Sequence, residues 1–247
     1  MSNKEVANPL AMFGIQAAEL ATVPSFAQAD AGMGNENVNA EDQSTVTLSL
    51  LQPMSPDVID SDGRIAPGSW MNSITKETFK ELYVANIFFK KQYSLFYKRA
   101  AAKKGLVDSF DTLAEANACV GAHPDKHDIE LIENGIHYVV ALGADGVAFP
   151  ARIYFKATSL PVSRDWNSQL EAVNKGNARF ISVWKLGNKK RENDKGKWWV
   201  PAIEYAGMIG DEELYKNIRV IYEGVRDALA PQVSDAVKLA APAAGKA

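Results

Sequence analysis

Cysteine is almost absent from this chain: its 247 residues contain one, Cys119. A lone thiol excludes an intramolecular disulfide, so stability must come from a packed core, and a reducing, intracellular setting is expected. Histidine is scarce as well, with three residues. No stretch approaches the roughly 18–20 apolar residues of a membrane-spanning helix. The opening MSNKEVANPLAMFGIQAAEL has no long apolar core behind a basic head. Neither a membrane contact nor a secretory signal is expected, and the chain reads as cytoplasmic. Gly-rich phosphate loops and the Gly-x-Ser-x-Gly elbow of hydrolases are missing too. We therefore expect no enzyme, no catalytic residue and no cofactor.

What remains is an ordinary globular composition, 47% hydrophobic and 23% charged, with room for a sizeable core. The net charge of −3 hides a local bias. Residues 1–75 carry two cations against nine acids. Residues 76–104 reverse this, with eight cations against two acids, and residues 185–197 carry six against two. Positive surface is thus concentrated in two stretches of an otherwise acidic chain.

Residues 1–44 are rich in Ala, Gly, Asn and acids and read as a largely disordered arm. Order is expected over 45–230, followed by a flexible Ala/Pro-rich tail over 231–247. Val46, Leu48 and Leu50 alternate with polar residues as a strand does, and GSWMNSI (68–74) suggests another. ELYVANIFFKKQYSLFYKR (81–99) reads as a long strand, bent or broken near Lys90 and Lys91. Asp111 is a candidate cap for a short helix. IHYVVAL and GVAFPARIYFKAT, joined by GADG (143–146), predict a hairpin. Val162, Trp166, Leu170 and Val173 then switch to helical spacing, with Ser159 as a possible cap and Ser163, Arg164 and Asn167 on the polar side. Strands at 178–186 and 198–206 flank the polar turn GNKKRENDKGK. Leu214, Ile218, Ile221, Val225 and Leu229 form the stripe of a closing helix. This order of elements suits a mostly β, α+β fold: an OB-like antiparallel Greek-key barrel with an inserted helix and a C-terminal helix. A general α+β sandwich suits it as well.

The chemistry-bearing pattern is basic and aromatic. Along VAFPARIYFKAT, Phe149, Ala151, Ile153 and Phe155 point one way and Arg152, Tyr154 and Lys156 the other. The 81–99 segment places Phe88, Phe89, Tyr93, Phe96 and Tyr97 among Lys90, Lys91, Lys98 and Arg99. Trp184 adjoins Lys185, and Trp198 and Trp199 follow Lys197. Neighbours on a strand face opposite ways, so one of Trp198 and Trp199 must point outward. Single-stranded nucleic acid calls for this pairing, because cations neutralise phosphates and ring faces stack on bases. Arg164 could reach a phosphate from the helix. Lys189, Lys190 and Arg191 would form a flexible basic lip. Taken singly, each aromatic is more often core and each lysine run more often a solvated face.

Two further patterns carry other chemistry. Cys119, His123 and His127 recur at helical spacing and could ligate zinc. Pro124 interrupts any helix through them, and a surface helix end with incidental histidines explains them equally. Asp57, Asp60, Asp62, Asp108, Asp111, Asp125 and Asp128 lie where turns and caps favour Asp.

TLSLLQPMSPDV, GSWMNSIT and YVANIFFKKQYSLFYKR resemble an arrangement in tailed-phage early proteins. IYFKATSLPVSRDWNSQL, FISVWKL and NDKGKWWVPAIEY resemble the strand–helix–strand core of phage single-stranded DNA-binding proteins, over about residues 45–206. The resemblance implies an OB-like fold that coats exposed DNA strands in replication and recombination. It also implies single-stranded DNA and replication proteins as partners and the host cytoplasm as location; a homo-oligomer is compatible with it, and the sequence leaves the oligomeric state open. The chain departs from that family at LAAPAAGKA, which lacks the acidic, aromatic-tipped tail that recruits replication partners. Two other readings stay open: a virion structural or assembly protein, using the arm and tail for contacts, and a metal-dependent nuclease using clustered Asp.

Overall fold

The computed structural model describes residues 44–142, 148–194 and 196–239, with Asp30, Met33, Gly34, Glu36 and Asn37, and with side chains as far as Leu229. The expected arm over 1–44, the GADG turn and the final residues 240–247 lie wholly or mostly outside the described residues. Thr45 onward forms one unit. Its elements are β1 (Val46–Leu50), α1 (Pro56–Ile59), β2 (Trp70–Asn72), β3 (Thr78–Phe79), β4 (Leu82–Tyr97) and β5 (Leu106–Phe110). These are followed by α2 (Leu113–Ala122), β6 (Ile129–Leu142), β7 (Ala148–Lys156), α3 (Leu160–Asn174), β8 (Ser182–Asn193), β9 (Gly196–Met208) and α4 (Glu212–Leu239).

The strands make one sheet in the order β3-β2-β1-β7-β6-β4-β8-β9, with β5 on β4. All pairings are antiparallel except β1 with β7. Among the described residues strand exceeds helix, 43% against 31%, and the sheet curls into a half-barrel, so the fold is α+β and OB-like as expected. The Greek-key barrel of the sequence reading takes the form of this curled sheet. The curl has local causes. Register shifts at Asn86/Phe88 and Leu95/Phe96 in β4, and at Val183/Trp184 in β8, bend and twist the strands that carry them.

The inside of the curl is the main core. Leu48, Trp70, Val84, Val139, Ile153, Phe155 and Leu186 meet Trp166 and Leu170 of α3 there. Trp166 is fully buried, stacked on His137 at 4.5 Å between ring centroids and edge-on to Trp184 at 6.4 Å. Such pairs add about 0.5–1.5 kcal/mol each beyond their burial. On the outer face, Leu214, Ile218, Ile221 and Val225 of α4 cover Ala85, Val140 and Phe180, which is the predicted stripe.

Several local expectations change. β4 runs unbroken through Lys90 and Lys91, because β6 pairs it along its whole length and β5 supports its far half. Thr112, not Asp111, caps α2, through a reciprocal pair with Glu115. Ser159 stands at the start of α3 but gives no cap bond there. Its hydroxyl accepts from the Lys156 amide and donates to the Lys156 carbonyl, both at 2.8 Å. The KKREN segment is not a flexible lip. It is strand, with Lys189 opposite Val200, Lys190 opposite Trp199 and Arg191 opposite Trp198. α4 continues to Leu239, past the boundary expected at 230.

Side chains stitch the two ends of the curl together. The Gln52 amide, just beyond β1, donates to the Trp199 carbonyl at 3.0 Å and accepts from the Trp199 N–H at 2.9 Å. Trp70 Nε1 donates to the Gly187 carbonyl at 3.1 Å, and Asn188 Nδ2 to the Gly68 carbonyl at 2.8 Å. Gly68 is required there. Its φ is +91°, and an added Cβ would overlap the Trp199 indole. Gln52→Ala leaves two backbone groups of β9 without their partner. It should cost about 1–3 kcal/mol in urea unfolding and shift tryptophan emission to longer wavelength at native conditions. Unchanged emission and stability would show that the stitch is dispensable.

Candidate functional site

The stitch decides where the edge of β9 lies relative to β7, and a recess of about 610 Å³ opens between them. Tyr154 and Lys156 of β7 form one side, and Lys197, Trp198 and Trp199 of β9 the other, with Gln52 and Ser159 also lining it. β7 supplies its side because its pleat sends Ala151, Ile153 and Phe155 into the core and leaves Tyr154 37% exposed. Ala157, at φ +47°, turns the chain from β7 toward α3. The Ser159 hydroxyl then fixes the backbone of Lys156.

Charge surrounds the rings. The Arg152 guanidinium lies 5.4 Å from the Tyr154 centroid and is held by a 3.1 Å bond to Thr47 Oγ1. Lys190 Nζ lies 5.9 Å from the Trp199 centroid. Lys197 pairs with exposed Glu192 at 3.4 Å. Among the described residues Lys156 forms no ion pair. Lys189 and Arg191 project from the same hairpin, exposed. Trp198 and Trp199 are each half-buried, on opposite faces of β9, yet both reach the recess because it lies at the sheet edge.

Other candidate residues go elsewhere. Trp184 is 0% exposed, and its Nε1 donates to Ser182 Oγ at 2.8 Å, so it is core and not a stacking platform. The ladder places Lys90 in line with Ile136 and Tyr154, on the same face of the sheet, but Lys90 is 15% exposed and bound to Asp111 at 2.8 Å. Alternation puts Lys91 on the opposite face, where Glu133 binds both it (3.4 Å) and Arg164 (3.6 Å). Tyr93 packs with Leu95 and α2. Lys98 donates to the His127 carbonyl at 2.6 Å, and Arg99 is exposed at the end of β4. The recess therefore gathers Tyr154, Lys156, Trp198 and Trp199, with Arg152 and Lys190 beside them, and leaves the 90–99 block outside. Gln52 and Ser159 were missed as lining residues. A lone Gln after a strand carries no signal until its partner across the curl is known.

Cys119 is half-buried in the cluster under α2. His123 Nδ1 accepts from the Asp125 amide at 3.0 Å, and the His123 ring meets Tyr97. Among the described residues no three His, Cys, Asp or Glu side chains converge as a ligand set.

A second polar group lies in the core. Ser163, placed above on the polar side of α3, is 2% exposed and 2.7 Å from His137 Nε2. Asn86 Nδ2 lies 2.8 Å from His137 Nδ1. Serine, histidine and asparagine in series suggest a nucleophile and its base, but the proton runs the wrong way. Arg179 Nε donates to Asn86 Oδ1 at 2.6 Å, which turns the Asn86 amide nitrogen toward His137. Nδ1 therefore accepts, and Nε2 carries the proton and donates to Ser163. A base would have to accept from that hydroxyl. Space is closed too, because a Cβ on Gly135 would fall 2.7 Å from Ser163 Oγ. The group is a buried strut joining β4, β6 and α3.

Burial holds His137 well below its ordinary pKa of 6.5, and the nearby Arg179 charge adds to this. The unfolded chain binds a proton below about pH 6.5 that the folded chain refuses. Stability should fall as pH drops through that range, by up to about 1.4 kcal/mol per pH unit. Urea unfolding of wild type and His137→Gln at pH 7 and pH 5 checks this. The variant should lose less stability on acidification, and an equal loss would show that His137 is not the titrating group.

A sequence model of a family described as Pam3 phage gp34-like protein matches residues 16–230. No curated protein matches, and no solved structure does. No helix among the described residues is long and apolar enough to cross a membrane.

Proposed function

This chain belongs to the Pam3 phage gp34-like protein family and is a phage protein, and we propose from its geometry that it binds single-stranded DNA with little sequence preference. The observation that carries this reading is the recess between β7 and β9, where three ring systems share one opening with cations on both sides. Stacking on a ring contributes about 1–3 kcal/mol per base and tolerates any base, since every base has a π-face. The phosphates between stacked bases would meet Lys156, Lys190, Lys197 and Arg152. Lys189 and Arg191, opposite β9 residues on the same hairpin, extend the positive strip as a rigid ladder. The protein acts by binding, without catalysis or a cofactor. Its setting is phage DNA replication and recombination in the host cytoplasm, with replication proteins as neighbours on the strand.

Fluorescence titration with an oligothymidylate at two salt concentrations tests this. Tryptophan emission should be quenched on binding. Tyr154→Ala should weaken affinity by about 1–3 kcal/mol with the urea midpoint little changed. Lys156→Ala with Lys197→Ala should reduce the slope of log affinity against log salt by about 1.4, at about 0.7 per phosphate contact on a single strand. The same double replacement at Lys90 and Lys91 should leave the slope unchanged, because those charges face Asp111 and Glu133. No quenching, or a slope that responds only to Lys90 and Lys91, would refute the assignment.

A further inference from the structure

β4 is flanked unevenly. β8 pairs with it over Leu82–Ala85 and β5 over Tyr93–Phe96, and the stretch between them faces the 178–181 turn and α4 instead. A second recess, of about 570 Å³, opens at this gap. Its apolar wall is aromatic: Phe180 lies 5.2 Å from Tyr215 and 5.6 Å from Tyr222 between ring centroids. Its polar wall is cationic. Arg179, Arg219 and Arg226 line it against a single carboxylate, Glu223.

Arg179 is the unusual member. It is half-buried, and its guanidinium lies 5.9 Å from the Phe89 centroid. Burial pushes its pKa down to about 10. Asn86 and Asn167 accept hydrogen bonds from it and aim it, but both are neutral. Among the described residues it forms no ion pair. Glu171 favours its charge from a distance without pairing with it, so burial outweighs the only opposite charge that acts on it. The two rim arginines hold only exposed acids, Glu223 at 3.0 Å and Asp227 at 2.8 Å. Exposed pairs of that kind are worth at most about 1 kcal/mol and yield to a better anion. Arginine forks match phosphate oxygens in particular.

We propose that this recess is a nucleotide site, with Arg179, Arg219 and Arg226 taking the phosphate and the Tyr215 and Tyr222 rings, backed by buried Phe180, taking the base. It stands on the far side of β4 from the pairing with β6 and does not depend on the β7–β9 reading. A nucleotide could come from two sources, free in solution or as one unit of a DNA strand.

Titrations of the full chain with dTMP, a short oligothymidylate and inorganic phosphate, followed by calorimetry and by NMR of the aromatic rings, test it. Binding of dTMP, or of the oligothymidylate alone, should shift the Phe180, Tyr215 and Tyr222 ring signals. The first result marks a free-nucleotide site and the second a strand-borne one. Arg219→Ala with Arg226→Ala, both at the exposed rim, should weaken that binding about tenfold. In the Tyr154→Ala variant the Tyr215 and Tyr222 rings should still shift over the same dTMP range, which separates this site from the other recess. Absence of ring shifts with both nucleotide probes would overturn the proposal. So would equal affinity in the double variant, or phosphate binding as tightly as dTMP.

Discussion

A pair of hydrogen bonds from one side chain sets the shape on which the rest depends. Gln52 completes the backbone of Trp199 as a neighbouring strand would, and so joins the two ends of a sheet whose ladder stays open. Buried or half-buried backbone groups must find partners. Here an amide side chain, together with Trp70 and Asn188, supplies what a ring of strands would supply in a closed barrel. Trp198 and Trp199 are thereby fixed opposite Tyr154 and Lys156. Without that closure the same residues would be scattered aromatics on two separate strands.

The interior carries the packing that holds the sheet together. Stability resides inside the curl, where Trp166, Trp184, Phe155 and His137 interlock under α3. The strut through Ser163, His137, Asn86 and Arg179 ties three elements together through satisfied polar contacts, which specify one arrangement more sharply than apolar contact alone. Arg179 stands at the end of that strut and also at the floor of the second recess. A group that organises the core is thus the one that presents charge outward.

Ion pairing sorts the basic surface more strongly than the number of cations does. The block over 76–104 holds the most lysine and arginine, yet Lys90, Lys91 and Lys103 are each matched by an acid from another element. The smaller block on β8 and β9 keeps Lys190 against a ring and holds Lys197 only through an exposed acid. Net local charge is therefore a poor guide to available charge, because a carboxylate distant in sequence can lie within 3 Å in space.

Pleat and period were legible along the chain itself. The inward row of Ala151, Ile153 and Phe155, the outward row of Arg152, Tyr154 and Lys156, the stripe of α4 and the inward Trp166 all follow from local alternation, a property of neighbouring residues. The α+β class followed from the order of those patterns. Only the tertiary structure decided that Trp184 is core, that Ser163 faces His137, that KKREN is ladder and that Lys90 is spoken for by Asp111. Each of these depends on partners that sheet curl and strand register bring together, such as His137 for Ser163 and Asp111 for Lys90, and no local window contains that choice.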